Sequence, residues 1–222
     1  MLAFMEDEAT RHATQPAGAP DAGSTAPTAP KPDAGPGPRT DRTRIRRHAD
    51  RAVPERIEEF LLAGLIAHVA CVEDGEPRVI PFLYQYEAGH IYIHGSPGNA
   101  TLRLLRDGRS VTVAVTRLLD LIASRTAADH SANYRSVVAY GRGRQVDGIA
   151  ERRRILEAMT GRYFAGRTTP ADYTPATDQD LAAIELIDIE IDEASAKMRD
   201  AGPMGPDDTD PDSAGSAFVQ PV

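Results

Sequence analysis

The sequence predicts a mainly β domain of the α+β kind, an antiparallel barrel of about six strands with peripheral helices. Three observations carry that expectation. Apolar residues recur at every second position, as where Val111, Val113 and Val115 alternate with Thr112, Ala114 and Thr116. The runs are joined by hairpin signals, notably Asp74-Gly75 and Ala88-Gly89. Helical patterns are few and stand between or beside the strands rather than alternating with each of them.

Taken in order, residues 54–63 read as a short amphipathic helix, opened by Pro54 and stopped at Gly64. Leu65 to Val72 is a strand, Glu73-Asp74-Gly75-Glu76 a tight turn, and Arg78 to Tyr86 the return strand. Pro81 interrupts that return strand and marks an edge, a bulge or a place where a ligand meets the backbone. His90–His94 follows, then a helix from about Pro97 to Arg106, with Ser96 as its expected N-cap. Ser110–Ser124 and Tyr134–Val146 are long strands separated by a polar loop. A helix near 149–164 carries Glu151-Arg152-Arg153-Arg154, read as solvated surface. A helical turn near 178–183 precedes a last strand, Ile184–Ile191.

The ends differ in composition. Residues 1–41 are rich in Ala, Pro and Gly and are expected to be disordered, because they offer too little apolar surface to offset ordering entropy. Residues 199–222 read as a flexible acidic tail, which leaves 42–198 as the folding domain. The net charge of −8 argues against nucleic acid and against an anionic membrane surface as partners. Arginines 39, 42, 44, 46, 47, 51 and 56 run against that trend. They are either a solvated approach to the first helix or, for one or two, a cover for an anionic ligand. Cys71 is the only cysteine, so no disulfide forms within the chain. With no signal peptide or membrane span in view, the expected location is cytoplasmic.

The stretch Ile91-Tyr92-Ile93-His94-Gly95-Ser96-Pro97-Gly98-Asn99 is the most informative. It reads as a strand entering a helix start, where free N–H groups attract phosphate. A histidine beside such a start suggests a phosphorylated cofactor, although a plain cap and a plain hairpin end account for the same letters. No metal site is expected: His90 and His94 on one extended strand stand ~13 Å apart at ~3.3 Å per residue. His130, Ser131 and Ser136 lack a nucleophile elbow. Gly141-Arg142-Gly143-Arg144 continues a strand and opens no helix, so its glycines read as relief of crowding at a bend.

Four segments in this order resemble the FMN-binding split β-barrel family related to pyridoxamine 5'-phosphate oxidase, and within it the nitroimidazole-resistance branch. They are Arg42–Arg47, Gly64–Pro81, Ile91–Leu105 with its Tyr-x-His-Gly-Ser run, and His130–Val138; Ile191–Lys197 fits as well. The resemblance implies an antiparallel six-stranded split β-barrel, a homodimer, FMN at the subunit interface and a small-molecule substrate. It implies phosphate contacts from Ser96, Gly98, Asn99 and Thr101, with Gly95 also at the cofactor and Arg103, Arg44 or Arg46 standing in for the cation absent at Ala100, and a flavin ring along Val79, Ile80, Pro81 and Phe82. It places His94 at the active site as the catalytic residue, and brings Asn133, Tyr134, Arg135 and Lys197 toward cofactor or substrate. Ala100 stands where relatives carry a cation, and the tryptophan that relatives have near the C-terminus is missing. The expected function is an FMN-dependent oxidoreductase, with a non-catalytic flavin or haem carrier or sensor as the alternative. A chain that has lost its ligand and serves as an interaction protein is a third reading.

Overall fold

A computed structural model describes residues 40–222, so nearly all of the segment 1–41 expected as a tail lies outside the described residues. The strands are β1 (Ala67–Glu73), β2 (Glu76–Phe82), β3 (Gln85–Glu87), β4 (His90–Gly95), β5 (Ser110–Ala123), β6 (Ser131–Gln145), β7 (Glu185–Arg199) and β8 (Phe218–Pro221). The helices are α1 (Ile57–Ala63), α2 (Ala100–Arg106), α3 (Ile149–Tyr163) and α4 (Asp178–Ala182). The sheet runs β2-β1-β5-β6-β7-β4-β3, antiparallel throughout, with β8 added beside the far end of β5. It is the mainly antiparallel split barrel that the sequence predicts.

The alternation read from sequence sorts the side chains by face. Val69, Val113, Val137, Ile93 and Ile187 all point into one buried core. The Asp74-Gly75 turn has φ of 52° and 86°, the positive pair that a two-residue hairpin needs. Gly141 sits at a register shift between β6 and β7, where an added Cβ would lie 2.0 Å from the Glu190 carbonyl oxygen. At Gly143 the same atom would meet Leu105 of α2 at 2.7 Å. The two glycines therefore do relieve crowding, one at a bulge and one beneath a helix.

Five expectations change. The return strand 78–86 is two strands, because the backbone N–H of Tyr84 donates to the Tyr163 hydroxyl at 2.9 Å and so leaves the ladder. Ser96 does not cap α2; Pro97 and Gly98 form a turn, and Asn99 is the cap, its Oδ1 accepting from Leu102 N–H at 3.2 Å. The last strand runs to Arg199, so Lys197 lies within β7 and not after it. Arg152 is not solvated: it is buried and donates to the carbonyls of Val146, Leu181 and Ile184 at 2.9–3.0 Å. Lastly, the stretch read as a tail holds β8, and Asp208 Oδ1 accepts from Ser124 Oγ and Arg125 N–H, each at 2.9 Å.

Candidate functional site

The outer sheet face has two halves. Over β4 and β7 it is covered: Tyr92 and Leu186 pack with Val146 against Ile155 and Met159 of α3. Over β2, β1 and β5 it is bare, and Val72 and Val79 remain 55% and 61% exposed. A groove of about 550 Å³ opens in the bare half. Four arginines line it, Arg42, Arg78, Arg109 and Arg142, and no acidic residue does. Arg42 is paired with Glu193 and lies 4.8 Å over the Tyr140 ring, while Arg78 is paired with Glu73. Arg142 donates to the Gly108 carbonyl at 3.3 Å, and Arg109 makes no ion pair among the described residues. Two guanidinium charges are thus left uncompensated, and the groove is suited to an anion.

β2 pairs only with β1, so its other side is a free edge. Proline is tolerated in a strand where its nitrogen faces away from the ladder. Pro77 and Pro81 stand four positions apart, an even spacing, so their nitrogens share one side, and the amide between them on that side belongs to Val79. The free edge therefore presents Val79 N–H between two positions without a donor. Val79 also lines the groove, together with Arg78. Of the neighbouring positions, Ile80 is half-buried, Pro81 exposed and Phe82 buried in the core.

The junction after β4 contributes less than its letters suggest. Ser96 Oγ accepts from Gly98 N–H at 3.2 Å, and Asn99 uses its side chain on its own helix. Those donors are occupied locally. Thr101 is buried with its hydroxyl unpartnered, Gly95 is half-buried, and Arg103 is exposed on α2.

His94 does not line the groove. It pairs with Leu186 across β4 and β7, so its ring is on the face covered by α3. Its Nδ1 is buried without a partner, and burial pushes its pKa below the ordinary histidine value. His90, on the same face, behaves oppositely. Its Nδ1 lies 2.8 Å from Asp188 Oδ1, and that hydrogen bond raises its pKa. Arg144 holds the other carboxylate oxygen at 2.7 Å. Asn133 is buried, accepting from Arg199 and from Ala201 N–H and donating to Asp120. Arg135 lies over Phe60, and Lys197 donates to the Arg47 carbonyl at 3.1 Å. Tyr134, half-buried, pairs with Leu118 and Arg199. The structure gives these four positions local bonding and does not bring them to the groove. Among the described residues no three His, Cys, Asp or Glu side chains are placed to hold a metal ion.

Sequence reasoning missed Arg78, Arg109 and Arg142. A signal existed for Arg142: in Gly141-Arg142-Gly143-Arg144 the period of two puts both arginines on the face opposite the glycines. Arg42 belongs to the N-terminal arginine run, and it is the one that turns onto the groove.

Residues 54–198 match the family model described as pyridoxamine 5'-phosphate oxidase. The chain belongs to the pyridoxamine 5'-phosphate oxidase family. Among solved structures, the flavocytochrome Anf3 from Azotobacter vinelandii aligns with a TM-score of 0.73 and 27% identity, covering 84% of this chain and 86% of that one. The FAD and haem binding protein from Mycobacterium smegmatis aligns with a TM-score of 0.68 and 32% identity, over 76% and 81% of the two chains. A protein assigned to 5-nitroimidazole antibiotic resistance in Bacteroides thetaiotaomicron shares the fold at 18% identity and a TM-score of 0.55. The expected nearness to the nitroimidazole-resistance branch is therefore corrected: within the pyridoxamine 5'-phosphate oxidase family the flavocytochrome and the FAD and haem binding protein are more similar. No curated protein matches the sequence. Among the described residues no helix is long and apolar enough to cross a membrane.

Proposed function

We propose that this protein binds a flavin in the arginine-lined groove and acts as an oxidoreductase on a small molecule, with two copies of the chain forming the working unit. The carrying observation is the groove itself: four arginines, no acid, and an outward strand-edge amide at Val79 on the same wall. The donor set fits a flavin. Guanidinium groups suit the phosphates of its tail, and a backbone N–H suits the polar edge of its ring. Arg109 and Arg142 supply the cations that Ala100 lacks. FAD is favoured over the FMN expected from sequence, since the relative at 32% identity binds FAD.

When bound, a flavin supplies hydride and single-electron chemistry, and the protein supplies position and charge. Arg109 and Arg142 would hold the anionic tail, and Arg42, stacked on Tyr140 and paired with Glu193, lines the same groove. Burial keeps His94 neutral near pH 7, so it exchanges a proton as a neutral imidazole.

The test is the visible spectrum of the purified full chain and the identity of any cofactor released on denaturation. Released FAD or FMN, lost in the Arg109→Gln, Arg142→Gln double variant, supports the reading. A colourless protein that takes up neither flavin overturns it. The second reading, a non-catalytic carrier or sensor that also binds haem, is favoured by the two haem-binding relatives. A flavin that is reduced chemically, yet is reoxidised by no acceptor faster than by oxygen, would select it.

A further inference from the structure

We infer that Arg117 and Arg135 form a second anion site, at the α1 end of the barrel, that takes a phosphate monoester group. The site is separate from the groove and does not depend on flavin binding there. Guanidinium groups present forked donors that match phosphate oxygens, and two of them balance the roughly two negative charges of a monoester near neutral pH.

Strand register builds the pair. Val111, Val113 and Val115 of β5 and Val137 and Ala139 of β6 point into the core. The same period of two carries these rows on to Arg117 and Arg135, which stand directly opposite each other. Side chains so placed start about 4.5–5.5 Å apart at Cβ, close enough to converge on one small group, and like charges there are destabilising. Two rows of core side chains thus end in a repulsive pair and not in an ion pair. From Ser110, on the groove wall, Arg117 is ~23 Å along β5 at ~3.3 Å per residue. Tyr140 and Arg142 of the groove differ in parity from Arg135 along β6, and so lie on the other face of that strand.

The acids of this end are spent elsewhere. Arg135 Nη1 lies 3.7 Å from Glu59 Oε1 of α1, too far for a hydrogen bond. Arg56 already holds both oxygens of that carboxylate, at 2.5 and 2.7 Å. Glu55 and Asp200 also act on Arg56, so negative charge gathers there and not on the strand pair. Arg117 is exposed and makes no ion pair among the described residues. Packing positions Arg135: its guanidinium carbon lies 5.7 Å from the Phe60 ring centroid, and its cross-strand neighbour on β7 is Met198. Its Nε is buried without an acceptor, and its guanidinium makes no hydrogen bond among the described residues. A charged donor group left unpaired in a half-buried place is costly, and a phosphate supplies acceptor and counter-charge together.

The experiment titrates inorganic phosphate into the full chain, against chloride at matched ionic strength, and reads the thermal unfolding midpoint. The parent is compared with Arg117→Gln and with the groove double variant Arg109→Gln, Arg142→Gln. The expected result is a saturable rise of the midpoint with phosphate in the parent and in the groove double variant, as binding to the folded state requires. In Arg117→Gln the apparent phosphate affinity falls at least about tenfold. Without phosphate, the midpoint of Arg117→Gln equals or exceeds that of the parent, because the substitution removes a like-charge pair. A lower midpoint there would make Arg117 a structural residue and overturn the assignment. So would a parent that responds to phosphate no more than to chloride, or a response lost in the groove double variant and kept in Arg117→Gln. None of these readouts uses the flavin spectrum, so the flavin reading stands or falls separately.

Discussion

The two halves of the outer sheet face are built from similar residues and end differently. Over β4 and β7, Tyr92 and Leu186 are sealed by α3. Over β1 and β2, Val72 and Val79 stay open to solvent. Hydrophobicity alone does not tell the two apart. What differs is the chain available to cover them: α3 follows β6 and folds back over one half, and no described helix reaches the other. An uncovered apolar strip beside unpaired arginines is the expected form of a binding surface. The two arginines of one strand show the same division. Arg144 is neutralised by Asp188 on the covered half, and Arg142, two residues earlier, reaches the groove with only a carbonyl for company.

If the comparison is right, mutations should cost stability in one half and ligand in the other. The largest effect is expected for Ile155→Ala, which empties the α3 seal and should cost about 2–5 kcal/mol in urea unfolding. Arg152→Met strands the carbonyls of Val146, Leu181 and Ile184 and should cost about 1–3 kcal/mol by the same measurement. Arg109→Gln and Arg142→Gln should each leave the unfolding midpoint near that of the parent and weaken flavin binding roughly tenfold, or about 1.4 kcal/mol, in a fluorescence titration. Val79→Ala should change stability by less than about 0.5 kcal/mol. Equal losses from Ile155→Ala and Val79→Ala would erase the distinction.

A finer contrast lies within the covered half. His90 should titrate above about 6.5 and His94 below it in an NMR pH series, because a carboxylate faces one and burial isolates the other. The signs oppose in stability too. The stabilisation from His90 is full below its unfolded pKa and is lost as pH rises through its raised folded pKa. For His94 the folded protein resists protonation, so stability falls as pH drops below about 6.5. Asp188→Asn should bring His90 back toward the ordinary value and leave His94 where it is.

The sheet was largely legible in the sequence because alternation and turn chemistry are local. Asp74-Gly75 and the Val111–Val115 run lead directly to a hairpin and a core strand. Boundaries set by distant partners were not legible. Tyr84 leaves the ladder because a hydroxyl 79 residues away takes its N–H, and Arg152 is buried because three carbonyls from outside α3 converge on it. The candidate site suffered most from this. The Ser96–Asn99 junction has a local signature, yet its donors are spent locally. The groove has none, being assembled from an arginine before Val79, one before β5, one within β6 and one ahead of α1.

The prolines of β2 have a consequence for assembly. Pro77 and Pro81 leave the outermost strand nearly bare of donors along its free edge, so another strand finds only a fragment of a ladder to extend. Sheet continuation between molecules is blocked there, whereas the broad face behind the edge stays open. For any strand-bearing partner, contact at β2 is therefore a matter of side chains on that face and not of a lengthened sheet.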